Sequence, residues 1–179
     1  MSRILRRERI RLSDWVTVVA RTVEFPAGPQ VYHALEQTDY ITALAFAPDG
    51  RIPLVRQYRP AVEGLTWELP GGLLDVGEDP MTCAGRELAE EVGMTPAGPG
   101  IALGTCPADS GRLNNLVQAF AFPQTVPVAG WVPEPGLEVV LMSQAEFKSL
   151  ILDGKFGCSI QFAAIALAML RGVLQFGAA

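Results

Sequence analysis

Apolar and charged residues alternate at the start of the chain, where Ile4, Leu5, Ile10 and Leu12 are interleaved with five arginines between Arg3 and Arg11. The β-branched run "WVTVVARTVEF" (15–25) and then "QVYHALE" (30–36) follow. Period-two patterning with such residues predicts a small antiparallel sheet over residues 1–38. Next come "YITALAFA" (40–47), the turn "PDG" (48–50) and "RIPLVRQYR" (51–59), the pattern of a hairpin. "LTWEL" (65–69) predicts a short strand that Pro70-Gly71-Gly72 must end. The period changes to 3.6 at Met81, Ala84, Leu88 and Val92. That helix has Asp79 as N-cap, Pro80 at its first position and Gly93 just past its end. Further strands are expected at 100–106, 115–122 and 137–142, and further helices at 143–152 and 159–174. Strands, a helix, strands and two helices, in that order, predict an α/β or α+β fold with helices covering a mixed sheet.

Length and composition narrow the class. At 179 residues with 49% hydrophobic residues, the chain is expected to form one globular domain with a small appendage. The net charge of −5 gives no sign of a nucleic-acid partner. The arginines of the first strand are read as a solvated, charge-blunted edge. Cys83, Cys106 and Cys158 form no CxxC pair and are odd in number, which fits a reducing cytoplasm. No apolar h-region follows the basic start. The longest apolar run, "FAAIALAML" (162–170), is far shorter than the ~20 residues of a membrane span.

The helix beginning at Pro80 carries an unfavourable charge pattern. Glu87 and Glu91 are four apart, and Glu87 and Glu90 three apart, so all three share a face bordering the apolar stripe. Like charges at this spacing cost about 0.2–0.5 kcal/mol. Acids in the last turn also oppose the helix dipole, by about 0.3–1 kcal/mol each. A solvated acidic face is the plain alternative, but the only adjacent cation is Arg86. Hard divalent cations favour clustered carboxylate oxygens. The glycine-rich "LPGGLLDVGE" (69–78) can bring backbone carbonyls, that of Gly71 among them, to the acids. These residues favour a metal-dependent phosphate enzyme over a surface helix.

The same residues resemble a known family. From Gly72 there are five residues to Glu78 and seven more to Arg86-Glu87-Leu88-Ala89-Glu90-Glu91, then Val92-Gly93-Met94. This is similar to the full Nudix box. "VRQYRP" (55–60) with "WELPGG" (67–72), the N-terminal β-region and "LILDGKFGCSIQFAAIALAML" (150–170) resemble the subset acting on ADP-ribose and other nucleoside diphosphate sugars. The resemblance implies an α/β/α sandwich with a mixed sheet over 39–179. It also implies that the small antiparallel β-region over 1–38 exchanges between the chains of a homodimer. Glu87 and Glu91 match the main Mg²⁺ ligands, with Mn²⁺ as a substitute. Glu90 matches an additional ligand, and Gly71 the position whose carbonyl completes the site. Arg86 matches an arginine that orients the acids, and Glu78 a largely structural position. The general base of this subset is a loop glutamate. The matching region, "VPEPGLEVV" (132–140), offers Glu134 first and Glu138 second, Glu138 also reading as the outward residue of a strand.

For substrate contacts the candidates are Arg59, able to meet a phosphate in bidentate fashion, and Arg112. Trp15 could stack on an adenine, or serve as core or dimer interface. His33 has no triad to join, and Cys83 reads as a packed thiol. In one departure from the subset, "TCPADSGRLNN" (105–115) has Pro107 without a following glycine. The expected reaction is hydrolysis of a nucleoside diphosphate sugar, first ADP-ribose to AMP and ribose 5-phosphate, with GDP- or UDP-sugars as the alternative. A non-catalytic nucleotide-sugar sensor on the same fold is the rival from another class. The retained Glu87, Glu90 and Glu91 speak against it.

Overall fold

The computed structural model describes residues 2–177. The described residues form two compact units, 2–39 with 107–116 and 40–106 with 117–177. The first unit is an antiparallel meander of β1 (Arg3–Arg11), β2 (Thr17–Glu24) and β3 (Gln30–Glu36). Every residue of β1 is exposed. Its Arg3, Arg6, Arg9 and Arg11 pair with Glu24, Glu8, Glu36 and Asp14, as the solvated-edge reading expects. The 107–116 segment closes on β3, where Leu35 N donates to the Arg112 carbonyl at 2.8 Å.

The second unit contains β4 (Tyr40–Ala45), β5 (Ile52–Arg59), β6 (Gly64–Glu68), α1 (Pro80–Val92), β7 (Met94–Pro96), β8 (Ile101–Pro107), β9 (Leu116–Phe122), β10 (Thr125–Pro127), β11 (Leu137–Met142), α2 (Gln144–Leu152) and α3 (Ser159–Leu170). The strands form the ribbons β4-β9-β8, β11-β5-β6 and β10-β7. β4 runs parallel to β9, whereas β5 is antiparallel to both its neighbours. Alternate residues of β4 enter opposite cores. Ile41, Ala43 and Ala45 pack with Cys83, Ala84, Leu88 and Val92 of α1. Leu44 packs with Phe147 of α2 and Ile165 and Ala168 of α3. Helices therefore cover both faces of a mixed β layer, the α/β architecture expected.

Two expectations need correction. The 40–47 and 51–59 strands are not a hairpin. The turn exists, with Ala47 N bonded to the Arg51 carbonyl at 2.8 Å, but β4 and β5 join different ribbons. The free edge of β4 is taken by the Pro70–Gly72 segment instead. Ile41 N donates to the Gly72 carbonyl (2.8 Å), Gly72 N to the Ile41 carbonyl (3.1 Å) and Ala43 N to the Pro70 carbonyl (2.9 Å). Helix α3 ends at Leu170 rather than 174, because Arg171 turns aside and donates from Nε to the Leu103 carbonyl at 2.9 Å. The strands β7 and β10 were not foreseen; three residues each are too few to show a period.

Among the described residues, no helix is long and apolar enough to cross a membrane. Gln161 of α3 is fully buried. Its amide accepts from Leu69 N (2.7 Å) and donates to the Leu69 carbonyl (2.8 Å). Both polar groups of a residue that has just left β6 are thereby satisfied. This pairing fixes the chain two residues before Gly71.

Candidate active site

Helix α1 begins and ends as its sequence predicts. The Asp79 side chain accepts from Thr82 N, Pro80 follows, and Gly93 closes the helix at φ 62°. With Cys83, Ala84, Leu88 and Val92 turned into the core, the acids lie along the border of that face. Arg86 is their hub. Its Nε and Nη2 donate to the two oxygens of Glu78 (3.0 and 3.1 Å), and Nη1 donates to Glu87 (2.8 Å) and Glu90 (2.9 Å). The hydrogen bonds from Arg86 hold Glu78 well below the usual carboxylate range, at about 2.

Glu91 stands apart from that hub. Its Oε2 accepts from Gly71 N at 2.9 Å. Burial raises its pKa to about 7; the Gly71 N–H opposes the shift and the Glu87 charge adds to it. Burial also raises Glu87, against the pull of Arg86. For both carboxylates burial disfavours the charged form by more than its partners favour it.

Gly71 and Gly72 are required by close approach. A Cβ at Gly71 would lie 2.1 Å from the Ile41 carbonyl oxygen, and one at Gly72 would lie 2.4 Å from Glu87 Oε1. The Gly71 carbonyl accepts from the Tyr40 hydroxyl at 3.1 Å. Burial pushes the Tyr40 phenol upward, so it is a donor at neutral pH.

Among the described residues, no three acidic, histidine or cysteine side chains already converge as a metal cage. The donors nevertheless suit a hard divalent cation in kind. Glu87, Glu90, Glu91 and the Gly71 carbonyl offer oxygen only. Glu78, Glu87 and Glu90 share the single guanidinium of Arg86 as their ion-pair partner, and Glu91 has no ion pair among the described residues. The charge shortfall read from the sequence is eased by Arg86 and not removed.

The remaining candidates fall in several places. Arg59, at the end of β5, is half-buried. Its Nε and Nη2 grip Glu68 at 2.8 and 2.6 Å, and the Thr66 hydroxyl donates to the same carboxylate at 2.6 Å. Burial pushes Glu68 up, but Arg59 and Thr66 outweigh it and leave the carboxylate below its usual range. The fork assigned to phosphate is thus engaged by Glu68, and Nη1 makes no hydrogen bond among the described residues. Glu138 sits on β11 opposite Arg56 of β5, 3.3 Å from it. Glu134 is exposed in the loop before β11. Its carboxylate has no hydrogen-bond partner among the described residues. Trp15 is 84% exposed, and Arg112 and His33 are exposed; all three belong to the first unit. Cys83 is buried, its thiol pushed up to about 12 by desolvation, as a packed thiol should be.

Sequence reading missed Tyr40, Glu68, Gln161 and Trp131. Each acts across 9 to 92 residues of chain, a separation over which local spacing carries no signal. For Glu68 a signal did exist, since it lies inside the quoted "WELPGG" (67–72).

Residues 37–121 match the model of the NUDIX domain family. The chain is 45% identical over 74 residues to an ADP-ribose pyrophosphatase of Mycobacterium tuberculosis, covering 40% of this chain and 36% of that protein. It is 32% identical over 90 residues to an ADP-ribose pyrophosphatase of Bacillus subtilis, covering 50% of this chain and 49% of that protein. The matched region thus spans less than half the length of either relative. The crystal structure of an ADP compounds hydrolase superposes with a TM-score of 0.81 at 25% identity, covering 96% of this chain and 95% of that one.

The raised Glu91 gives a pH test in the metal-free protein. An acid whose folded value is about 7, against an ordinary 4.5, favours the folded state in its protonated form. That contribution is complete below 4.5 and is lost as pH rises through 7. Thermal melts in chelator should show Glu91→Gln more stable than the parent at about pH 8, with little gain at about pH 5. Equal melting temperatures at the higher pH would contradict the burial argument.

Proposed function

We propose that this protein, whose residues 37–121 match the NUDIX domain model, is a Nudix hydrolase that cleaves the diphosphate of nucleoside diphosphate sugars with a divalent cation, first Mg²⁺. ADP-ribose is the first substrate to test. The observation that carries the reading is the pair of carboxylates beside the Gly71-Gly72 segment, Glu87 buried and Glu91 half-buried with only the Gly71 N–H as partner, both pushed toward the neutral form by burial. The names of the relatives, ADP-ribose pyrophosphatases and an ADP compounds hydrolase, support the substrate class.

A cation held by Glu87, Glu90, Glu91 and the Gly71 carbonyl would neutralise the diphosphate and acidify the attacking water. The chain's own groups do the rest. Arg86 keeps Glu87 and Glu90 on one side of α1. Glu68 fixes the plane of the Arg59 guanidinium, so the edge carrying Nη1 is pre-oriented for a phosphate oxygen. Glu134 takes the proton of the water as its oxygen bonds to one phosphorus and the bridging P–O bond breaks. The products from ADP-ribose are AMP and ribose 5-phosphate. Glu134 is favoured over Glu138 because its carboxylate is unengaged and Glu138 is paired with Arg56. The unpaired cysteines agree with a cytoplasmic setting.

Product analysis against a panel of nucleoside diphosphate sugars and dinucleoside polyphosphates tests the reading. Mg²⁺-dependent release of a nucleoside monophosphate and a sugar phosphate is the expected result. Glu134→Gln should keep KM and lose about 100-fold or more in kcat, and Glu138→Gln should lose far less. The reverse order would make Glu138 the base. Tight binding without turnover across the panel would replace the hydrolase with a sensor.

We also read the protein as a homodimer. β1 exposes Ile4, Leu5 and Ile10, Leu12 just after it is exposed too, and a three-stranded meander is too small to bury a core alone. Light scattering should give twice the chain mass at micromolar concentration. A monomeric mass would remove the dimer.

A further inference from the structure

Trp131 lies in the loop between β10 and β11 and has no place in the family pattern above, yet its side chain bonds directly to α1. Its indole Nε1 donates to the Glu90 carbonyl at 2.9 Å. That carbonyl is among the last four of α1, which have no partner within the helix. The ring also lies against Gly93. A Cβ at Gly93 would sit 2.4 Å from the indole Cδ2, so only glycine allows this approach, at a φ of 62° that glycine also tolerates best. A backbone bond from Val128 N to the Gly93 carbonyl (2.8 Å) lies three residues before the indole. At the far end of the loop, Leu137 N donates to the Glu134 carbonyl at 3.0 Å, where β11 begins its pairing with β5. Glu134 is therefore held between an anchor three residues before it and a strand three residues after it. Pro133 and Pro135 on either side restrict the backbone between them.

We infer that Trp131 is a positioning residue: it fastens the Glu134 loop to the turn of α1 that carries Glu90 and Glu91, and so fixes the distance between the base and the acids. The inference rests on the proposed role of Glu134. Misplacing a catalytic group by about 1 Å can cost about 100-fold in rate. Loss of the indole N–H with an aromatic side chain kept in place should therefore be felt in kcat and not in substrate binding.

The test is Trp131→Phe in the full chain, alone and combined with Glu134→Gln. Trp131→Phe should lower kcat at least about tenfold with KM within about twofold of the parent. In the Glu134→Gln background the same change should cost almost nothing further, because the two residues act as one unit. Hydrogen exchange should accelerate over residues 128–137 and stay unchanged in α1. Unchanged kcat, unchanged loop exchange, or an equal loss in the Glu134→Gln background would each overturn the inference. A parent protein that hydrolyses no diphosphate would overturn the functional reading and the catalytic half of this inference with it; loop exchange would still decide the anchor.

Discussion

The pairing of Pro70-Gly71-Gly72 along the free edge of β4 is the constraint on which the rest depends. Three backbone hydrogen bonds lay this segment beside Ile41 and Ala43, and the missing side chains of Gly71 and Gly72 leave room for the Ile41 carbonyl and the Glu87 carboxylate. Gln161 supports it from the α3 side by holding Leu69. Because the edge of β4 is already taken, β5 cannot return along it and instead builds a second ribbon with β6 and β11. That ribbon brings Arg59 to Glu68 and Glu138 to Arg56. The same segment aims the Gly71 N–H at Glu91. One short stretch of extended chain thus links the two ribbons and the acidic helix.

Helix α1 shows what this costs electrostatically. An isolated helix with these acids would be relieved by solvent. Here Glu87 is buried and Glu91 is half-buried, and each is pushed toward its neutral form. Arg86 holds Glu78, Glu87 and Glu90 in one hydrogen-bonded group but makes no direct bond to Glu91. The fold is packed well enough to keep this imbalance, which is where a rule broken locally signals function.

The parts of the site that were legible in the sequence are those set by local spacing. Asp79, Pro80 and Gly93 mark the ends of α1, and the three- and four-residue intervals place Glu87, Glu90 and Glu91 along one border. The strand β11 and the helix α2 were also legible, because period and caps agree there; Ser143 and Glu146 form a capping box. What could not be read is pairing between distant segments. The turn at 48–50 looks like a hairpin, and nothing within it reveals that Gly71 and Gly72, about twenty residues on, compete for the same edge. The anchoring of Trp131 to Glu90 and of Tyr40 to Gly71 is likewise tertiary. Arg59 reads from the sequence as a bidentate phosphate contact, and only its packing shows that Glu68 holds it.

Under the proposed function, the Glu91 carboxylate stays short of positive charge until a divalent cation supplies it. Calorimetric titration of the chelator-treated protein with Mg²⁺, in buffers of differing ionisation enthalpy, measures both binding and the protons exchanged. With Glu91 at about 7, saturable binding should release close to one proton at about pH 6 and far fewer at about pH 8. Glu91→Gln should weaken binding and abolish that pH-dependent release. Absence of Mg²⁺ binding, or binding with the same affinity and proton release in Glu91→Gln, would contradict the account.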